Sequence, residues 1–210
     1  MSRQIRKHQH IKNPEPFSEI LHAWLKSNED KTLGGLSAVF AEKSFAIIFL
    51  LLMALPALPI PTGGITHVTE LIAMLVCLEL IVGRRVIWLP KKWLEVDVGK
   101  VLSAKAIGRL IAVIRWFEKF SRRRLGGLLT LRPVLSLIGL VVLLFTVAAF
   151  VAPPFSGLDT LPALGVVIIS LALILEDMAF LVAGVLIGCT GIALEISAGA
   201  ALYSGFTHLF

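Results

Sequence analysis

Between Ser44 and Gly83 this chain of 210 residues has no lysine or arginine, and it has none after Arg132. All 20 such cations lie in residues 1–43 and 84–132. Charged residues make up 16% of the chain and hydrophobic ones 57%, which excludes the composition of an ordinary soluble domain, where about 25% of residues are charged. Lipid-embedded segments exclude cations, and cytoplasmic loops collect them. The two gaps therefore predict an integral membrane protein with both basic blocks in the cytoplasm. Cysteine is scarce: Cys77 and Cys189 each lie in an apolar run and read as small core residues, which argues against a disulfide or a metal site. The first 40 residues lack an apolar h-region, so no cleavable signal peptide is expected and the first apolar run serves as insertion signal. The chain also lacks a nucleophile with a positioned base, a His/Cys metal spacing, a phosphate-binding glycine loop and an Asp-rich diphosphate motif. Those absences weigh against an enzyme, and no metal or cofactor is expected. The net charge of +6 sits beside the apolar runs, which points to the anionic inner leaflet and away from nucleic acid.

What is present divides the chain into a cytoplasmic N-terminal arm, residues 1–43, and a single membrane domain, residues 44–210. Pro14 and Pro16 break the arm, and Phe17–Lys26 is predicted to be a short helix with Trp24 available to the membrane interface. The first apolar block, Ser44–Leu55, stops at a breaker run holding Pro56, Pro59, Pro61, Gly63 and Gly64. A second apolar piece runs from about Ile65 to Gly83. Both pieces are shorter than the roughly 20 residues of a straight span, so this half is either a tight two-helix hairpin or a re-entrant loop. Within the basic linker 84–132, Lys100–Lys119 has a helical period. Lys100, Lys105, Arg109, Arg115, Glu118 and Lys119 fall on one half of the wheel, with Val101 stranded among them, and Leu102, Ala106, Ile107, Leu110, Val113, Ile114 and Phe117 on the other. This pattern predicts a basic amphipathic helix in the interface plane. Pro133–Ala152 is long enough to span. Pro153–Gly157 breaks it, Leu161–Leu175 follows, Glu176-Asp177 interrupt, and Met178–Ala201 is a further apolar helix. The tail carries Tyr203, Phe206, His208 and Phe210, as at a membrane interface.

A shift of 97 residues lays Pro56 on Pro153 and Glu79 on Glu176. The expected fold class is therefore an all-α membrane protein with two repeated Pro/Gly-broken hairpins, 44–83 and 133–177, plus a C-terminal helix 178–201 and the cytoplasmic amphipathic helix. Repeats broken at matching positions point to a midplane binding site; a hairpin that merely needs a turn has the same pattern. Acids inside apolar segments are costly and usually functional or paired. Glu70, Glu79, Glu176 and Glu195 qualify, and the repeat ranks Glu79 and Glu176 first. They read either as carboxylates that titrate or bind a cation or polar head group, or as residues that snorkel to Arg84, Arg85 or Arg132. Asp177 suits a cap for the helix starting at Met178. His67 and Glu70 share a helix face beside the Pro break, placed to relay a proton or to cap and hydrogen-bond. The binding expectation thus comprises Glu79, Glu176, Asp177, His67, Glu70, Pro56, Pro59, Pro153, Arg84 and Arg85. Gly184, Gly188 and Gly191 form a small-residue face, open to a homodimer or to internal packing.

The runs Leu55-Pro56-Ala57-Leu58-Pro59-Ile60-Pro61 and Glu79-Leu80-Ile81-Val82-Gly83-Arg84-Arg85-Val86-Ile87-Trp88-Leu89-Pro90 resemble the ExoD family of bacterial exopolysaccharide-synthesis membrane proteins. So do Pro154-Phe155, Leu161-Pro162-Ala163-Leu164 and Leu175-Glu176-Asp177. The similarity spans about residues 30–195, and the Gly-Arg-Arg-x-x-Trp-Leu-Pro run is its most specific part. Where this chain has Glu79 the family often has Gln, which weakens a symmetric carboxylate pair. The resemblance implies a multi-pass protein of the bacterial inner membrane with a role in exopolysaccharide production, and no catalytic mechanism. The Pro-broken hairpins are also similar, at the level of fold, to DedA-type lipid-handling proteins. Three functions follow: a transporter or lipid-handling protein with a polar pocket between the hairpins; an accessory protein docking on polysaccharide synthases through its basic face; and, as the weakest, an enzyme acting on lipid-linked sugars. Expected partners are membrane lipids including anionic ones, polysaccharide-synthesis proteins, and a second copy of the chain.

Overall fold

The computed structural model describes residues 16–27, 32, 34–35, 40, 43–59, 65–84, 87–88, 95, 104–121, 126–153 and 156–209. The regular elements among them are helices: α1 (Phe17–Lys26), α2 (Ser44–Met53), α3 (Ile65–Ile81), α4 (Ala104–Glu118), α5 (Gly126–Leu129), α6 (Arg132–Val151), α7 (Thr160–Leu175) and α8 (Met178–Leu209). The all-helical class expected from the sequence is what folds.

α2 is apolar all round, and a helix of that kind belongs inside. Seven consecutive residues, Ser44–Leu50, are buried together with Met53. Its ten residues reach only about 15 Å, half of the ~30 Å hydrocarbon layer of a bilayer. α2 packs mainly on α7, and α3 packs mainly on α6, so the first helix of each hairpin lies against the second helix of the other. The directions follow from individual contacts. Lys43, just ahead of α2, reaches the Ile174 carbonyl at the end of α7. Near the start of α3 the His67 ring meets Phe150 at the end of α6, and a Cβ on Gly139 in α6 would meet Leu80 and Ile81 at the far end of α3. α2 and α6 thus run the same way, and the breaks that follow them lie at one end of the bundle. The opposite end carries Lys43, Glu79, Arg84, Arg132 and Glu176.

α7 and α8 touch backbone to backbone. A Cβ on Gly165 would come within 2.8 Å of the Gly188 Cα and 2.9 Å of the Gly184 carbonyl. One on Gly191 would meet Pro162 at 2.5 Å. Of the two uses left open for the glycine face, internal packing is the one realised, so any contact between copies lies elsewhere.

α6 (Arg132–Val151) and the Met178–Ala201 part of α8 are long and apolar enough to cross a membrane. α8 continues to Leu209, past the expected end at Ala201, because no proline or left-handed residue interrupts it. The outer faces stay apolar: Leu71 and Leu75 on α3, Leu137 and Leu144 on α6, and Val182 and Leu186 on α8 are all exposed.

Two expectations need correction. α1 forms as expected, its entry set by Pro16, whose φ of −55° suits a helix start. Trp24, however, is not free for the interface. It is 4% exposed and sits edge-on to Phe40 at 6.3 Å. Likewise the apolar face of α4 does not lie wholly against lipid. Ile111 and Ile114 pack in a core shared with Phe17, Leu21, Leu171 and Ile174. The apolar arc of α4 is wide enough to serve two contacts, and Val113, Trp116 and Phe120 remain exposed on its other edge.

Candidate functional site

At the end of the bundle that holds both breaks, α3 places Glu70 one turn inside its N-terminus. Its side chain has no exposed surface, and Oε2 lies 2.9 Å from the Nδ1 of His67, whose own side chain is 32% exposed. The i,i+3 spacing puts both on one helix face. The Phe150 ring stands edge-on to the imidazole at 5.3 Å and holds it in place. Glu70 Oε1 has no hydrogen-bond partner among the described residues. From α8, Glu195 turns an equally enclosed, unpartnered Oε1 inward. Asp159, at the N-cap of α7 but making no side-chain cap hydrogen bond, lies within electrostatic range of both glutamates. Asp159 therefore links the His67–Glu70 pair on α3 with Glu195 on α8, inside two stretches of chain that contain no lysine or arginine.

An unmade hydrogen bond on a buried acceptor costs about 1–3 kcal/mol, and more when the group is charged. Two such oxygens, both within electrostatic range of Asp159, form a region that takes up hydrogen-bond donors or positive charge. No three His, Cys, Asp or Glu side chains among the described residues converge closely enough to hold a metal ion.

The acids ranked first by the repeat stand at the other end. Glu79, in the last turn of α3, accepts the Trp88 backbone N–H at 2.7 Å and lies 4.0 Å from Arg84 Nη1, tying down the chain that leaves the helix. Glu176 is the C-cap of α7 in the left-handed region, at φ 58°, and is ion-paired to Lys43 at 3.0 Å. Asp177 is buried. It accepts the Ala179 N–H at 3.0 Å, the helix cap that the sequence suggested, and the Ser121 hydroxyl at 3.3 Å. α3, Ile65–Ile81, holds Glu79 about 21 Å from its own start after the first break. Of the break prolines, Pro56 is buried while Pro59 and Pro153 are exposed. Arg85 lies outside the described residues. His67 and Glu70 are thus brought together with each other but not with Glu79, Glu176, Asp177 or Arg84. Sequence reasoning missed Asp159 and Lys43. Asp159 had a signal, an acid directly after a Pro/Gly break, and Lys43 is the last cation before a 40-residue gap.

A family model described as "Exopolysaccharide synthesis, ExoD" matches residues 17–197. An uncharacterized protein of Synechocystis sp. is 27% identical over 151 residues, covering 67% of this chain and 65% of its own length. The chain thus spans just under two thirds of that relative. No solved structure matches the chain. The family match covers far more than half of the sequence, and the chain belongs to the ExoD family.

Proposed function

We propose that this ExoD chain is a multi-pass inner-membrane protein, N-terminus cytoplasmic, that moves or holds a polar or lipid-linked intermediate of exopolysaccharide synthesis or export, without catalysing a reaction. The single observation that carries this reading is the enclosed carboxyl group of Glu70, paired through Oε2 with His67, its Oε1 without a partner among the described residues and Asp159 within electrostatic range. Irregular backbone at membrane depth is tolerated where it lines a polar site, and intramembrane acids mark substrate or ion paths. The membrane setting is supported by the exposed apolar faces of α3, α6 and α8, because a water-soluble monomer rarely exposes contiguous apolar patches of more than a few hundred Å². The crossed pairing of α2 with α7 and of α3 with α6 supports two repeats set parallel. The inner leaflet's anionic lipids are partners for the basic linker.

A second reading, an accessory protein for polysaccharide synthases, is favoured by the exposed Trp116 and Phe120 beside the exposed Arg115 and Lys119 on α4, a mixed aromatic and basic face suited to docking. The test is restoration of exopolysaccharide in a deletion strain at matched expression. Glu70→Gln and Glu195→Gln fail to restore it on the first reading, while Glu176→Gln, whose carboxylate serves Lys43, restores it. Full restoration by both of the former moves the accessory reading ahead.

A further inference from the structure

We infer that Glu70 is a proton-exchange site loaded through His67. The proposal rests on the transport reading above and supplies its coupling ion. Four observations point to a proton. Glu70 is wholly enclosed while His67 is about one-third exposed, so the imidazole bridges the surface and the interior. Their 2.9 Å contact is the distance over which a proton passes directly. The second Glu70 oxygen has no partner among the described residues, so among them only His67 is placed to offset a charge on this carboxyl. The titratable groups within electrostatic range of it are His67 from its own helix and Asp159 from the turn before α7, which in turn lies within range of Glu195 on α8; α6 contributes the uncharged Phe150 ring, against His67. Among the described residues, what faces Glu70 apart from the imidazole is thus acidic. The carboxyls do not converge closely enough for a metal ion, and a proton needs no such convergence.

The exchange balances as follows. In the resting pair the neutral imidazole donates Nδ1–H to the Glu70 carboxylate. A hydronium ion from the water side protonates Nε2, and the Nδ1 proton moves to Glu70 Oε2. A neutral carboxylic acid now donates back to Nδ1 of a neutral imidazole protonated at Nε2. One proton enters at Nε2, one leaves at Nδ1, and the pair goes from a net charge of −1 to zero. Reversal returns the proton.

The test uses the full-length protein in detergent micelles and dicyclohexylcarbodiimide, which modifies protonated carboxyls in apolar surroundings. Mass spectrometry is expected to find Glu70 modified in the wild type, faster as pH falls, and not protected by sodium or potassium chloride at fixed pH. An unmodified Glu70, or protection by either salt, overturns the proposal, the second result in favour of a metal-cation site. In a second measurement, infrared difference spectra after a pH jump should show a protonated-carboxyl stretch that is absent in Glu70→Gln. The same stretch should appear at least about a hundredfold more slowly in His67→Gln, the scale of loss for a removed proton-transfer group. An unchanged rate overturns the role of His67. Failure of either measurement leaves the exopolysaccharide test standing. Conversely, a modified Glu70 whose Gln variant restores exopolysaccharide keeps the site and overturns the transport reading.

Discussion

Gly165 and Gly199 lie on the same kind of apolar helix and differ only in what stands opposite. A methyl group on Gly165 would press on the α8 backbone, which has no rotamer with which to yield, whereas nothing lies within 4 Å of one on Gly199. Gly165→Ala is expected to lower stability by about 1–3 kcal/mol through overpacking. Gly199→Ala should instead be neutral or stabilise by up to about 1 kcal/mol, since Ala favours helix over Gly. Thermal unfolding in detergent compares the two. Lys43 poses a similar contrast with Glu176. The ammonium donates both to the Glu176 carboxylate and to the Ile174 carbonyl at 2.6 Å, one of the acceptors left open at a helix end. Lys43→Ala should therefore destabilise more than Glu176→Gln, which keeps a polar acceptor. Equal unfolding temperatures for the two variants would contradict this assignment.

At the scale of elements, α1 and α4 behave as a clasp on the basic end. Ser18 is buried, and both its backbone N–H and its hydroxyl donate to the Glu118 carboxylate, which sits on the charged half of the α4 wheel. Phe17, Leu21 and Trp24 fill the space between that helix and Phe40. Glu118→Gln removes the charge from both hydrogen bonds and leaves one acceptor oxygen for two donors, a hydrogen bond to an ionised partner being worth about 1.5–3 kcal/mol. The expected result is faster proteolysis at residues 26–43 with the remainder of the bundle intact. Unchanged cleavage would show that packing alone holds α1. The basic side of the α4 wheel has a different task. Replacing Lys105, Arg109 and Arg115 with Glu should reduce co-purified phosphatidylglycerol, because each basic residue near an anionic surface contributes about 1 kcal/mol. Unaltered lipid retention would assign this side to a protein partner.

For the whole molecule, the directions of α2, α6 and α7 set both breaks at one end and the cation-bearing segments at the other. That arrangement yields a labelling test in a background lacking Cys77 and Cys189. Cysteine at Ser156, exposed beside the second break, is expected to react with a membrane-impermeant thiol reagent in intact cells. Cysteine at Glu95 or Phe120 is expected to resist it. Labelling at the latter positions reverses the orientation derived from the positive-inside rule.

Composition and charge order alone determined the helical class, the limits of α1, the break after Val151, the cap at Asp177 and the pairing of His67 with Glu70. Each of these depends on interactions between residues a few positions apart, or on the partition of a segment between water and an apolar phase, and such terms are legible along a chain. The family resemblance was legible for the same reason, in contiguous runs around Pro56 and Arg84. Tertiary structure alone decided that Asp159 lies within range of both Glu70 and Glu195, that Lys43 answers Glu176, that Trp24 is covered, and that the α8 glycines face α7. These contacts cross 16 to 133 positions of sequence. In helices that are apolar on every side, such as α2 and α7, no polar face marks which residues turn inward. Only the packing of one helix against another makes that choice.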